Sequence, residues 1–447
     1  AQRAAARLYH AGRTANAVNE RRPGKANELA WTDRAVHDWY RFVLSFPPHL
    51  VRQYLADFTV TTADVVLDPF CGTGTTLVEC KKLGIPSIGL EANKMTYFAS
   101  KVKLDWAVAP ETLIEQAEAA AQAVRAHLEA DGINDDAQLY PLDTHGRLRT
   151  LPDSAWGIML KDSISPLPLH KTLVLLDYIE SHFDQQTLPF AQLALAKALV
   201  TSIGNLKYSP EVGIGKIRLD VPVVTPWVTI LREMAADIRS VAPLRNVPAI
   251  VYQADSRRFA SLMRPESVSA VITSPPYPNE KDYTRMTRME SVLLGFIDSR
   301  EELRALKKHL MRSNTRNVYV GDDDDLWVAN VATVQELAEA IENRRIELGK
   351  TSGFERLYSK TTRLYFGGMA RHLADLRTVL RPNAMLAYVV GDQASYLRVM
   401  IRTGQILAEI AEDLGYELVR IDLFRTRMAT ATKDQLREEV VVLKWKG

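Results

Sequence analysis

The chain has 447 residues, 47% hydrophobic and 25% charged, with a net charge of +2. That is enough apolar material for one large domain with insertions or for two to three domains, and too little net charge to diagnose a nucleic-acid binder except through local clustering. Two cysteines, Cys71 and Cys80, exclude a disulfide scaffold or a cysteine zinc cluster, and no run approaches 18 uninterrupted apolar residues. The basic start, with Arg3, Arg7, Arg13, Arg21 and Arg22, lacks the apolar segment of a signal peptide, so the expected setting is the cytoplasm, with neither a membrane nor a metal as partner.

Residues 1–30, punctuated by Pro23-Gly24, read as a flexible N-terminal arm, and order is expected from Trp31 onward. Ser45-Phe46-Pro47-Pro48 leads into a helical stretch ending near Phe58. A strand at 64–68, a glycine turn, a helix over Thr75–Leu83 and a strand over Ser87–Leu90 follow, which is the opening of a doubly wound α/β sheet. The alternation then stops. Residues 111–244 read as a helical insertion, with helices over Thr112–Leu128, His170–His182, Ala191–Ile203 and Val223–Val241 and a loop at Tyr208–Lys216. Strand patterns return at Ala249–Tyr252 and Ser269–Ile272, and a second insertion occupies 297–363. A helix over Gly368–Leu380, stopped by Arg381-Pro382-Asn383, leads to a strand over Met385–Val390. A helix over Val399–Leu414 precedes two segments, Leu418–Phe424 and Glu438–Trp445, suited to antiparallel pairing. The predicted catalytic domain is therefore discontinuous, 31–110 with 245–447, in a Rossmann-like sheet carrying a C-terminal antiparallel pair and largely helical insertions.

Two motifs carry chemistry. Asp68-Pro69-Phe70-Cys71-Gly72-Thr73-Gly74-Thr75-Thr76 follows the first strand and opens a helix, where glycines let the backbone approach a ligand closely. Its spacing is neither the GxGxxG of dinucleotide binders nor the GxxxxGK(S/T) of phosphate-binding loops. Glu91, ending the next strand, is placed to accept from two ribose hydroxyls, and Asp255, after a later strand, from an adenine amine. The second motif is Ser274-Pro275-Pro276-Tyr277. Its prolines fix an extended chain and leave the Pro275 carbonyl free to accept a hydrogen bond, next to a hydroxyl and a stacking ring. No Pro-Cys pair is present, so attack on a base carbon by a cysteine is excluded.

Together these motifs resemble the cytosine-N4/adenine-N6 DNA amino-methyltransferases over 31–110, 245–295 and more loosely 368–447. The resemblance implies S-adenosylmethionine as cofactor, held by Phe46, Pro47, Pro48, the 68–76 turn, Glu91 and Asp255, and catalysis by Ser274–Tyr277 on a base swung out of the duplex. Serine at the head of the tetrapeptide is similar to the cytosine-N4 enzymes, with adenine-N6 methylation and methylation of an RNA base amine as alternatives. The implied partners are double-stranded DNA and a cognate restriction endonuclease, in a bacterial or archaeal cytoplasm. Target recognition falls to 111–244, 297–363 or both, and Arg285, Arg288, Arg312 and Arg316 are candidates for DNA contact, with Arg425 and Arg427 within reach.

Overall fold

The computed structural model of the protein describes residues 29–41, 45–136, 148–208, 211–428 and 435–447. The expected arm over 1–30 lies outside the described residues apart from its last two. Pro47, extended at φ −79°, caps helix α1 (Pro48–Asp57), which opens on a proline because the first turn leaves amide hydrogens unpaired anyway. Strand β1 (Val66–Asp68) is fully buried. Gly72 and Gly74, at φ +52° and +84°, then turn the chain into α2 (Thr75–Lys82). A Cβ at Gly74 would stand 2.5 Å from Ser100 Oγ, so both its backbone angle and its space require glycine. Strand β2 (Ser87–Glu91) returns parallel to β1, and Asn93 caps α3 (Lys94–Leu104) by accepting from the Met95 amide.

The first insertion consists mainly of α4 (Pro110–Ala130), α5 (Pro166–His182), α6 (Leu188–Ala198), extended by a π turn over Leu199–Ile203, and α7 (Val224–Val241). A small antiparallel ribbon, β3 (Leu206–Tyr208) with β4 (Val212–Ile214), stands where a plain loop was expected. Apolar side chains of these helices join Leu77, Val78, Met95, Ala99 and Val102 from α2 and α3 in one core, so the insertion shares its interior with the catalytic sheet.

Strands β5 (Ala249–Gln253) and β6 (Val268–Thr273) pair parallel with β2 and β1 respectively. The second insertion contains α8 (Arg300–Lys308) and α9 (Ala332–Glu347) and runs into α10 (Tyr358–Leu376). Helix α10 begins ten residues before the predicted Gly368. Gly367 lies inside it, where a Cβ would fall 1.8 Å from the Asp324 carbonyl; the glycine admits a crossing segment rather than starting a helix. Arg381-Pro382-Asn383, read as the helix stop, lies within strand β7 (Leu380–Gly391). Helix α11 (Thr403–Asp413) precedes β8 (Tyr416–Met428) and β9 (Gln435–Trp445).

The sheet order is β5-β2-β1-β6-β7-β9-β8. Its first five strands are parallel, and β9 pairs antiparallel with both β7 and β8, which supplies the predicted C-terminal pair. Side chains alternate between two faces as the period of a strand requires. Leu67, Val271, Leu386 and Tyr388 pack toward α10 and α11, while Val66, Ala270, Ile272, Ala387 and Val389 pack toward α1. The chain order reverses between β1 and β6, and a doubly wound sheet opens its ligand crevice at the carboxyl ends of strands flanking such a switch.

Candidate active site

The two motifs, 200 residues apart in sequence, meet because β1 and β6 are neighbours, with Val66 opposite Ala270 and Leu67 opposite Val271. Thr273 Oγ1 donates to Asp68 Oδ1 at 2.6 Å and Thr76 Oγ1 donates to the Ile272 carbonyl at 3.1 Å, tying the turn to the strand that carries the tetrapeptide. One cleft is lined by Phe46, Pro69, Phe70, Cys71, Gly72, Thr75 and Glu91 on one side and Ser274, Pro275, Pro276 and Tyr277 on the other. Pro47, Pro48, Asp68, Thr73, Gly74 and Thr76 stand behind these as support. Asp68 is fully buried with Oδ2 unpaired, and desolvation raises its pKa to about 6.

Glu91 accepts from the Gly72 amide through Oε2 at 2.9 Å and from the Asn93 amide through Oε1 at 2.7 Å, which leaves further lone pairs facing the cleft. Burial lifts its pKa to about 7 against the pull of those amides. Around a Cβ placed on Gly72 no atom lies within 4 Å, so the turn leaves open space beside the carboxylate. These features fit the ribose of a nucleoside cofactor. Asp255 departs from its expected place. Its carboxylate is turned onto Arg257, which binds it through Nε at 2.9 Å and a terminal nitrogen at 2.6 Å, while Arg257 also reaches Asp324 at 2.5 Å. The neighbours Ala254 and Ser256 line the cleft in its stead.

Ser274 Oγ donates to the Val389 carbonyl at 3.0 Å and keeps its lone pairs as acceptors. The Tyr277 amide is held by Tyr283 Oη at 3.4 Å, and burial pushes the Tyr277 phenol well above its ordinary range. Gly391 makes room for the ring, since a Cβ there would lie 3.0 Å from Tyr277 Cε2 and 3.3 Å from Glu438 Cγ. Glu438 from β9 in turn holds Arg425 at 2.5 Å and Arg427 at 3.4 Å, and Phe424 completes this wall.

The four arginines proposed for DNA contact separate into different environments. Arg288 is buried and donates to the Ile158 carbonyl, the Thr284 carbonyl and Thr284 Oγ1. Arg312 is buried on Asp322 and the carbonyls of Lys307, Lys308 and Leu310. Both are corrected to internal cross-links, because their acceptors are mostly backbone oxygens that no charge pattern reveals. Arg285 is half-buried; Arg316 is exposed, with its guanidinium 5.6 Å from the Phe354 ring. Arg425 and Arg427 line the cleft itself. The stretch from His309 to Asn317, which the sequence marked through its charged side chains rather than as a cleft wall, contributes His309, Leu310, Met311, Ser313 and Asn317 to that wall. Among the described residues no cluster of metal-binding side chains occurs, and no helix is long and apolar enough to cross a membrane.

The sheet is that of a Rossmann-like methyltransferase, and one cleft joins the glycine turn and Glu91 at the ends of β1 and β2 to the Ser-Pro-Pro-Tyr tetrapeptide at the end of β6. The profile of the N6/N4 DNA methylase family matches residues 16–101. The chain is 22% identical to the Type II methyltransferase M.BsoBI of Geobacillus stearothermophilus, over 90% of this chain and 82% of that protein. It is 24% identical to the Type II methyltransferase M.AvaI of Nostoc sp., over 90% of this chain and 85% of that protein. A shorter stretch, 15% of this chain and 13% of the relative, is 40% identical to the Type II methyltransferase M.MjaII of Methanocaldococcus jannaschii. These matches support the DNA amino-methyltransferase family for this chain, and its methyl donor is S-adenosylmethionine.

Proposed function

We propose that the enzyme methylates the exocyclic N4 amine of a cytosine flipped out of double-stranded DNA, as the modification partner of a type II restriction endonuclease in a bacterial or archaeal cytoplasm. The observation that carries this is the single cleft shared by Gly72, Glu91, Ser274 and Tyr277. Cytosine is favoured by serine at the head of the tetrapeptide, and the modification role by the Type II names of the relatives that align along nearly the whole chain.

S-adenosylmethionine, when bound, supplies an electrophilic methyl group on a sulfonium. Glu91 and the Gly72 amide region would hold its ribose, with Phe46 and the 69–71 segment around it. Asp255 would meet an adenine amine only by sharing its carboxylate with Arg257. On the base side, the Pro275 carbonyl, which faces no amide hydrogen from Pro276, accepts one amine hydrogen, and Ser274 Oγ accepts the other while donating to Val389. Those contacts draw the nitrogen lone pair out of ring conjugation and aim it, while Tyr277 stacks on the ring; positioning supplies most of the rate. The extra amine proton leaves to water, since a serine hydroxyl is too weak a base to remove it beforehand. Half-buried Arg285, exposed Arg316 and cleft-lining Arg425 and Arg427 are the candidates for phosphate or base-edge contact.

The test is transfer of labelled methyl from S-adenosylmethionine to unmethylated genomic DNA and, separately, to total RNA, followed by nucleoside mass spectrometry. N4-methylcytosine in DNA is the expected product. Methyladenine in DNA would correct the base, and label in RNA alone would overturn the assignment of the substrate.

A further inference from the structure

Lys281 has no role in the chemistry above. It lies four residues beyond Tyr277 and is half-buried in the wall of the same cleft. Its backbone is pinned on both sides: its amide donates to Asn279 Oδ1 at 3.0 Å, and its carbonyl accepts from Asn314 Nδ2 at 3.1 Å. Among the described residues its ammonium has no hydrogen-bond or ion-pair partner, although a half-buried cation left unpaired is costly. Other basic side chains nearby differ: Lys307 is held by Asp282 at 2.7 Å, Arg425 and Arg427 are held by Glu438, and Arg285, whose Nε is also unpartnered, does not line the cleft.

Lys281 shares two charged neighbours with Tyr277, Glu438 and Arg427, and has the exposed Glu211 as a third. The ammonium therefore belongs to the base end of the cleft rather than to the Glu91 end. An unpaired donor there calls for an acceptor on the substrate. When the amine of a flipped base is seated on Ser274 and Pro275, cytosine offers the carbonyl oxygen O2 at the far side of its pairing edge, whereas adenine offers a C2–H at the corresponding position.

We propose that Lys281 is a specificity-determining residue that donates a charge-assisted hydrogen bond to O2 of the flipped cytosine and so selects cytosine over adenine. The inference rests on the cytosine assignment made above. A half-buried lysine covered by a base that presents a C2–H loses a bond that water would have supplied, so discrimination comes from the penalty on the wrong base as much as from the gain on the right one.

The experiment compares wild type, K281M and K281R in the full chain, using unmethylated genomic DNA, nucleoside mass spectrometry of the product, and calorimetric titration with S-adenosylmethionine. K281M keeps the apolar stem and removes the donor. Its N4-methylcytosine formation is expected to fall roughly 10- to 100-fold, with unchanged cofactor affinity and a raised ratio of methyladenine to methylcytosine, and K281R is expected to recover part of the rate. Wild-type methylcytosine together with a K281M enzyme of unchanged rate and base ratio overturns the proposal alone, as does a loss of cofactor affinity that accounts for the lost rate. Methyladenine as the wild-type product overturns the cytosine assignment and the proposal with it.

Discussion

Glu91 shows how a single carboxylate is tuned by position. Half-buried at the end of β2 and facing two amides, it has its pKa pushed up by desolvation to about 7 from its usual 4.5, so the folded protein binds its proton more tightly than the unfolded chain does. The contribution of this group to stability is therefore unfavourable above about pH 7 and is relieved as pH falls from there toward 4.5. Cofactor binding runs the other way, because ribose hydroxyls need the carboxylate. Affinity for S-adenosylmethionine should rise as pH is raised through about 7, and E91Q should flatten that profile while weakening binding by about 1.5–3 kcal/mol, measurable by titration calorimetry across pH 5.5–8.5. Tyr277 divides the labour differently. Y277A should lower turnover on DNA by about 1–3 kcal/mol through lost stacking and leave cofactor affinity unchanged; an equal loss in both would sink the separation of base and cofactor subsites.

The elements that bring such residues together differ in how visible they were beforehand. The turn at 68–76 and the tetrapeptide were legible because each follows an apolar strand and contains residues whose backbone restrictions are severe. That they share a cleft follows from β1 and β6 being neighbours. The stretch from His309 to Asn317 was not legible as a site wall. It is irregular, and what holds it is long-range: the Asn279 amide donates to the Ser313 carbonyl at 2.9 Å, and Thr315 Oγ1 donates to Glu280 at 2.8 Å. Asn314 is completely buried in this seam, donating to the Lys281 carbonyl and accepting from the Arg316 amide. N314A leaves both unpaired, so it should cost about 1–3 kcal/mol in denaturant unfolding and slow methylation while sparing cofactor affinity. The helix read from Gly368 in fact begins at Tyr358, with Gly367 in its interior. Glycine ordinarily weakens a helix interior, but here it admits the Asp324 backbone against α10. G367A puts a methyl group against a peptide carbonyl rather than a flexible side chain, and should destabilise by about 3 kcal/mol or more in the same assay.

At the scale of the whole molecule, 111–244 reads from sequence as a helical insertion, since it interrupts the strand alternation. Its packing ties it to the catalytic sheet. Leu113, Ala117, Leu195 and Trp227 of the insertion belong to the same buried core as Leu77, Val78, Met95 and Val102 of the helices that cover the sheet. Trp39, near the N-terminal side of the catalytic domain, meets Phe190 of α6 at 5.8 Å between ring centroids and donates its indole hydrogen to Asp237 of α7 at 2.8 Å. Removing the insertion would strip apolar cover from α2 and α3, the helices on which the glycine turn is mounted, so its unfolding should be coupled to loss of the cofactor subsite. Scanning calorimetry of the full chain is expected to give one cooperative transition, shifted upward as a unit by saturating S-adenosylmethionine because the ligand binds only the folded state. Two transitions, of which only one responds to the cofactor, would show instead that the insertion folds on its own and that its shared core contributes little to holding the turn in place.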